Sequence, residues 1–237
     1  ARAGRADLAS ATQSAPTYGS VLIEGLPHVK QKPDFCGEAC AEMYLTKLGK
    51  AMDQDYIFDQ AGIDPLLGRG CHTRELAAAL RRIGFRTRNV WYVVSASNAQ
   101  QQLDSQFSAL HKDLAAGVPS IICMRYDDHP NTTEHFRLIL GYDARSDEVI
   151  FHEPAVDQGG YRRMKRDQLL ALWPLKYEER RWTVVRFRLE PGSLADGRAA
   201  STLTDADYAQ HIHQLKQDLR ELREEQVRLK DDRDAEI

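Results

Sequence analysis

Residues 31–40 read Gln-Lys-Pro-Asp-Phe-Cys-Gly-Glu-Ala-Cys, a proline-containing loop that runs into the start of a predicted helix. Apolar side chains recur every three or four residues from Ala39 to Leu48, and Gly49 predicts the end of that helix. Cys36 would lie in the first helical turn, where free amide groups and a partial positive charge stabilise a thiolate. An arbitrary cysteine is more often a small buried apolar residue. This position instead predicts a thiol with a lowered pKa, and therefore a nucleophile.

Two apolar runs later in the chain predict a β-hairpin that carries a general base. Residues 134–142 and 148–153 are rich in β-branched and aromatic side chains, and polar turn residues separate them. His135 lies at the start of the first strand and Glu153 at the end of the second. An antiparallel pairing brings these two ends together, so an imidazole and a carboxylate would be neighbours.

The register of this hairpin decides which side chain lies beside His135. If residue 141 pairs with residue 149, Glu153 lies on the same face of the sheet as His135. A shift by one residue turns His152 to that face instead. We rank Glu153 first as the partner of the imidazole and keep His152 as the alternative.

Further candidate site residues lie close to the predicted nucleophile and base. Gln31 is one short loop before the cysteine, and its side-chain amide is expected to donate a hydrogen bond where an oxyanion develops. Asp34, Gly37 and Glu134 lie within two residues of the nucleophile or the base, and we expect them to bind substrate.

The order and spacing of these motifs resemble those of papain-like cysteine peptidases. Three segments carry the resemblance, namely residues 31–39, 135–143 and 152–155. The branch that they resemble most is that of the double-glycine leader peptidases of bacteriocin export. The resemblance covers about residues 26–190. It implies an α+β fold in which a helical N-terminal half, including the nucleophile helix, packs on an antiparallel sheet.

The resemblance also implies roles for the candidate residues. Cys36 would attack a peptide carbonyl, and His135 would take the thiol proton and deliver it to the leaving amine. Gln31 and the backbone amide of Cys36 would stabilise the oxyanion. Glu153 would orient the imidazole, although the family usually has Asp before this Pro and a Gln-to-Cys interval one residue longer. The predicted function is a cysteine peptidase that acts on peptides or proteins without cofactor or metal.

Other interpretations of the same residues remain open. An amidase or transpeptidase would use the same thiol, histidine and carboxylate, and a catalytically weak papain-like module would bind peptide and dimerise. A zinc site at Cys36, Cys40, Cys71 and His72 is a minor alternative, because the spacing does not fit the usual zinc templates. A disulfide between Cys40 and Cys71 is a second one.

The rest of the central region predicts further helices and strands. Helices are expected over residues 53–61, 74–83, 100–116 and 166–172, with Thr73 as the N-cap of the second. Strands are expected over residues 89–94, 119–126, 161–164 and 182–189. In the last strand, apolar residues alternate with Arg186 and Arg188, which predicts one buried face and one solvent-exposed face.

Composition limits the partners and the location of the chain. The 237 residues carry a net charge of −3, which gives no general signature of binding to nucleic acid or to an anionic membrane. No apolar run approaches the roughly 20 residues of a membrane-spanning helix, and no secretory signal is evident. The sequence fixes no compartment, and our expectation is a bacterial extracytoplasmic or secreted protein.

The two ends of the chain differ in composition from the middle. Residues 1–20 predict a flexible arm, residues 21–190 the peptidase domain, residues 191–204 a linker and residues 205–237 a charged helix. Apolar residues alternate at four- and three-residue intervals in that helix, with opposite charges beside them; they are Tyr208, Ile212, Leu215, Leu219, Leu222 and Leu229. This pattern predicts a parallel coiled coil and hence a homo-oligomer.

Overall fold

A computed structural model describes residues 18–178 and 181–195 of the chain. Within these ranges the helices are α1 (Cys36–Lys47), α2 (Gln54–Ala61), α3 (Thr73–Ile83), α4 (Ala99–Ala115) and α5 (Arg166–Leu172). The strands are β1 (Val21–Leu22), β2 (Trp91–Val94), β3 (Ser120–Arg125), β4 (Glu134–Asp143), β5 (Glu148–His152), β6 (Arg162–Lys165), β7 (Leu175–Glu178) and β8 (Arg181–Arg188). The predicted elements are present, and their ends agree within two residues with those expected from the sequence.

The strands form one antiparallel sheet with the order β2-β8-β3-β4-β5-β6, to which β1 adds beside β4 and β7 beside β8. Helices α1, α2 and α3 come before most of the sheet, and their apolar side chains share one core with Phe136, Leu138 and Phe187. On the opposite face, α4 and α5 share a second core with Ile122 and Ile139. The expected packing of helices on an antiparallel sheet is therefore confirmed.

A bulge between β4 and β5 sets the register of the hairpin. Near the turn, Tyr142 pairs with Val149, which is one residue away from the pairing expected from the sequence. The register shifts between Ile139 and Gly141, and beyond the shift Leu138 lies opposite His152. The extra residue of the bulged strand reverses which side chains face each side of the sheet. As a result, the carboxyl end of β5 has the register that brings Glu153 to the face of His135.

The start of α3 differs by one residue from the expectation. His72, and not Thr73, is the N-cap. The carboxylate of Glu75 accepts a hydrogen bond from the backbone N–H of His72 at 2.7 Å and two from the guanidinium of Arg69. A carboxylate three residues after the N-cap satisfies a backbone donor that the first helical turn leaves free, and this fixes the helix start.

The expectation of a solvent-exposed face on β8 is wrong, because α4 covers that face. Arg186 is only 5% exposed, and its guanidinium contacts the carboxylate of Asp113 on α4. Arg188 Nε donates to the same carboxylate at 2.8 Å. An arginine that alternates with apolar residues on a strand can thus be buried, provided that a carboxylate pairs with it.

The predictions for the chain ends concern residues that the structure mostly does not describe. Most of the N-terminal arm, and the parallel coiled coil over residues 205–237, lie outside the described ranges. Of the predicted linker, residues 191–195 are described, and they pair with the end of α3 through Ala195 N–H to Ile83 O at 2.9 Å. Among the described helices, none is long and apolar enough to cross a membrane.

Removing the carboxylate of Asp113 is expected to destabilise the fold. Asp113→Ala leaves Arg186 buried without its partner, and breaking a buried pair on one side costs about 3–5 kcal/mol. Urea unfolding at pH 7 measures the change in the free energy of unfolding. Asp104→Ala, on the same helix, is the control, because Asp104 is 40% exposed and 3.9 Å from Arg166. This substitution should change the free energy of unfolding by no more than about 0.5 kcal/mol. Equal losses in the two variants would contradict a structural role for the buried pair.

Candidate active site

The candidate site is a cleft with a volume of about 930 Å³ between the start of α1 and the adjoining ends of β3 and β4. The loop before α1, the loop before α3 and the β3–β4 connection form its walls. Among the lining residues are Gln31, Asp34, Cys36, Tyr126, Glu134 and His135. The cleft therefore contains the predicted nucleophile and the predicted base.

His135 and Glu153 form a direct and buried contact in the wall of the cleft. His135 Nε2 lies 2.5 Å from Glu153 Oε1, and the two residues are 7% and 4% exposed. The backbone N–H of Ala155 donates to the same oxygen at 3.0 Å. Because the carboxylate occupies Nε2, the ring nitrogen left for proton exchange is Nδ1.

The pKa of Glu153 is lowered to about 2, against an ordinary value of 4.5. Burial by itself raises this pKa, but the hydrogen bond and charge of His135 and the charge of Arg137 outweigh it. The carboxylate is therefore ionised at neutral pH.

The thiol of Cys36 does not have the lowered pKa that its place in the helix predicts. Cys36 is the first residue of α1, as expected, but burial raises the pKa of its thiol to about 11. Hydrogen bonds from backbone N–H groups, including those of Phe136 and Gly37, lower the pKa by less than burial raises it, and the charge of Glu38 raises it further. The thiol of the resting protein is therefore neutral at pH 7.

The remaining candidate residues are divided between the cleft and the core. Gln31 lines the cleft, its backbone N–H donates to Pro154 O at 2.9 Å, and its side-chain oxygen is buried without a protein partner. Asp34 and Glu134 also line the cleft. Gly37 has a packing role, because a Cβ at this position would lie 2.7 Å from the side chain of Leu76.

His152, the alternative partner of the imidazole, lies on the other face of the sheet. It is fully buried, its Nε2 is 3.2 Å from Leu26 O, and its Nδ1 accepts the backbone N–H of Tyr161 at 2.9 Å. Burial lowers the pKa of His152, so the ring is neutral at pH 7. These contacts hold the segment before α1 against the hairpin and keep His152 away from the cleft.

The four cysteines are free thiols, so the Cys40–Cys71 disulfide is absent. Within the described ranges, no group of three or more His, Cys, Asp or Glu side chains could hold a metal ion. Cys71 and Cys123 line the cleft beside Cys36, and burial raises the pKa of both thiols. The thiol that opens α1 is thus one of three in the cleft.

The sequence analysis missed two side chains that contact the His–Glu pair. Arg137 Nε donates to Glu153 Oε2 at 2.6 Å, and the ring of Tyr126 packs edge-on against His135 with 5.1 Å between centroids. A signal for Arg137 was present in the sequence, because it is a charged residue inside an apolar strand and lies two positions after the base. Nothing in the local pattern distinguishes Tyr126 from other residues at strand ends.

One protein family and two solved structures are similar to this chain. The sequence model of the Peptidase_C39-like family matches residues 23–183. The peptidase domain of Streptococcus ComA, described as a bifunctional ABC transporter of a quorum-sensing pathway, is 14% identical, with 68% of this chain and 96% of that chain covered and a TM-score of 0.43. Xylellain, a cysteine protease from Xylella fastidiosa, is 12% identical, with 75% and 87% covered and a TM-score of 0.47. No curated protein matches the sequence.

The family match defines the class of protein, which is a cysteine peptidase. The chain belongs to the Peptidase_C39-like family, whose model spans most of its length. The resemblance seen in the motifs is therefore confirmed at the level of the family. At that level the protein acts on peptide bonds.

Alkylation of Cys36 should be slow at neutral pH. With a thiol pKa of about 11, the reactive thiolate fraction, and hence the rate with iodoacetamide, should rise about tenfold per pH unit up to that value. Timed labelling of the folded protein, followed by peptide mapping, measures the rate at each cysteine. His135→Ala is the control and should leave this slope unchanged. Fast labelling below pH 7 that disappears in His135→Ala would contradict the neutral resting thiol.

The ionised Glu153 should make the fold sensitive to acid. Because its folded pKa of about 2 lies below the ordinary value of 4.5, its stabilisation is complete above pH ~4.5 and decreases as the pH falls towards 2. The whole shift is worth about 3 kcal/mol, of which about 2 kcal/mol is lost by pH 3. We expect the parent to lose about 2 kcal/mol more than Glu153→Gln between pH 7 and pH 3 in urea unfolding. If both proteins lose the same stability between pH 7 and pH 3, the lowered pKa of Glu153 is ruled out.

Proposed function

We propose that this protein cleaves peptide bonds with Cys36 as nucleophile, His135 as general base and Glu153 as the carboxylate that orients the base. The observation that carries the proposal is the buried contact of 2.5 Å between His135 Nε2 and Glu153 Oε1. This contact lies in the wall of the cleft that Cys36 also lines. A thiol, an imidazole and a carboxylate are the three groups that acyl transfer by cysteine requires.

The first step is attack on the carbonyl carbon of the scissile peptide bond. Cys36 Sγ forms the new bond while its proton passes to Nδ1 of His135, since Nε2 is held by Glu153. The neutral resting thiol makes this transfer part of the attack and not a step before it. The carbonyl oxygen becomes an oxyanion, and Gln31 and the backbone N–H of Cys36 are the donors assigned to it.

The second half of the reaction releases the two products. The tetrahedral intermediate collapses, the bond from carbon to the amine breaks, and His135 gives its proton to the leaving amine. Water then attacks the thioester with His135 as the base, and the acid is released as Cys36 regains its proton. Atoms and protons balance over the cycle, and no cofactor enters it.

The role of Glu153 is to fix the imidazole and to stabilise its charged form. An ionised carboxylate at Nε2 keeps the proton of the neutral ring on that nitrogen and leaves Nδ1 as the acceptor. The shift of its pKa to about 2 supports this role, because the group stays charged while the base works. The additional methylene of Glu relative to Asp is compatible with a hydrogen bond at this distance.

Substitution of the nucleophile tests the proposal. We expect Cys36→Ser to lower cleavage of a defined peptide library by at least about 1,000-fold, because the serine hydroxyl is a far poorer nucleophile with this base. Mass spectrometry of the library measures cleavage over time. Cys40→Ala, one turn further along α1 and fully buried, is the matched control and should retain most of the activity.

The same experiment separates the peptidase from the peptide-binding module. Cleavage that persists in Cys36→Ser, or is absent from the parent protein over the whole library, would refute the proposal. Retention of library peptides on the intact parent would then favour the binding module, which has the same cleft but no turnover.

A further inference from the structure

Arg137 is a buried cation inside the candidate site that the mechanism above does not use. It lies two residues after His135 on β4 and therefore on the same face of the sheet. It is 5% exposed, and its Nε donates to Glu153 Oε2 at 2.6 Å. A charge buried to this extent needs specific partners, and Arg137 has Glu153 of the site as its charged partner.

The guanidinium is held in a single orientation by the end of β3. Its Nη2 donates to Tyr126 O at 2.9 Å and its Nη1 lies 3.4 Å from Arg125 O. Its central carbon lies 5.2 Å from the ring centroid of Tyr126 and 5.5 Å from that of Phe151. Two carbonyl oxygens and two aromatic rings thus fix the planar guanidinium independently of its contact with the Glu153 carboxylate.

The two oxygens of Glu153 are divided between different partners. Oε1 contacts His135 Nε2 and the backbone N–H of Ala155, whereas Oε2 contacts only Arg137 among the hydrogen bonds described for it. Glu has one more rotatable bond than Asp, so one point of contact leaves its carboxylate free to rotate away from the imidazole. A second point of contact on Oε2 removes that freedom.

We propose that Arg137 is a positioning residue whose guanidinium holds Glu153 Oε2, so that Oε1 is presented to His135 in the orientation that catalysis needs. Arg137 is not among the residues that line the cleft, and it acts on the base through Glu153. The inference rests on the proposed function, because the imidazole that it serves is the proposed general base. It explains how a chain with Glu in place of the expected Asp keeps a working base.

The charged groups around Glu153 agree with this role. On β4 the neighbours of Glu153 are His135 and Arg137, and on α1 its neighbour is the neutral thiol of Cys40. In the segment before α1 its neighbour is His28, whose Nε2 lies 2.8 Å from the Glu153 backbone oxygen. Burial raises the pKa of Glu153, and the hydrogen bond and charge of His135 with the charge of Arg137 lower it to about 2. Arg137 is thus the permanent positive charge among these groups.

Two substitutions of Arg137 separate its charge from its geometry. In Arg137→Met we expect kcat to fall about 100-fold with KM within about twofold of the parent value, because a misplaced base slows chemistry and not binding. The pKa of the Glu153 carboxyl group should rise by about 1–3 units, since the carboxylate loses a cation. Arg137→Lys should keep that pKa near the parent value while kcat stays low, because an ammonium supplies charge without the planar fork.

Arg186→Met is the matched control. Arg186 lies on the same sheet away from the cleft, is buried to the same extent, at 5% exposed, and pairs with the carboxylate of Asp113 on α4. Its loss should lower stability but leave kcat and the pKa of Glu153 unchanged at a temperature where all variants are folded. If Arg137→Met behaves like Arg186→Met, the positioning role is overturned.

A titration that needs no activity keeps this inference distinct from the proposed function. The ¹³C resonance of the Glu153 carboxyl group, assigned by its absence in Glu153→Gln, reports protonation of that group directly. Its midpoint should rise in Arg137→Met and stay unchanged in Arg186→Met. If the parent protein is inactive, the proposed function is refuted. If the titration midpoint of Glu153 is unchanged in Arg137→Met, the positioning role of Arg137 is refuted.

Discussion

The antiparallel pairing of β4 with β5 is the constraint on which the candidate site depends. His135 lies on one strand and Glu153 just after the other, so a single register brings their polar atoms to 2.5 Å. The bulge between Ile139 and Gly141 produces that register. Without the additional residue, the pairing near the turn would continue and would place His152 on the face of the imidazole. The geometry of the base therefore depends on one irregularity inside the sheet.

The two acidic groups of the site are both buried, but their pKa values shift in opposite directions. It raises the pKa of Cys36, because the groups that favour its thiolate are only backbone N–H groups and Glu38 opposes them. Burial also raises the pKa of Glu153, but an imidazole and a guanidinium reverse the effect. The same desolvation that keeps the thiol neutral makes the contacts of the carboxylate stronger. The resting site thus has its negative charge on Glu153 and not on Cys36.

Most elements of the fold could be predicted from local patterns. The helix that begins at Cys36, the bounds of α5 and the hairpin that carries His135 follow from hydrophobic period and turn residues. Two expectations failed for one physical reason, which is that they depend on partners distant in sequence. Arg186 is buried because Asp113 of α4 pairs with it, and the thiol of Cys36 is neutral because the surrounding chain removes water from it. The start of α3 differs by one residue for a local reason, which is that the carboxylate of Glu75 binds the backbone N–H of His72 as well as Arg69.

The sequence by itself determined the chemical identity of the site: a cysteine at a helix start, a histidine that opens a strand, and a carboxylate after the next strand. Periodicity and spacing are local, and they are enough to identify elements and to order the functional groups along them. Only the tertiary structure decided that Glu153 and not His152 meets the imidazole, and that Arg137 holds its second oxygen. Register, burial and the protonation state of the thiol depend on contacts between residues far apart in the chain, and a local pattern does not contain them.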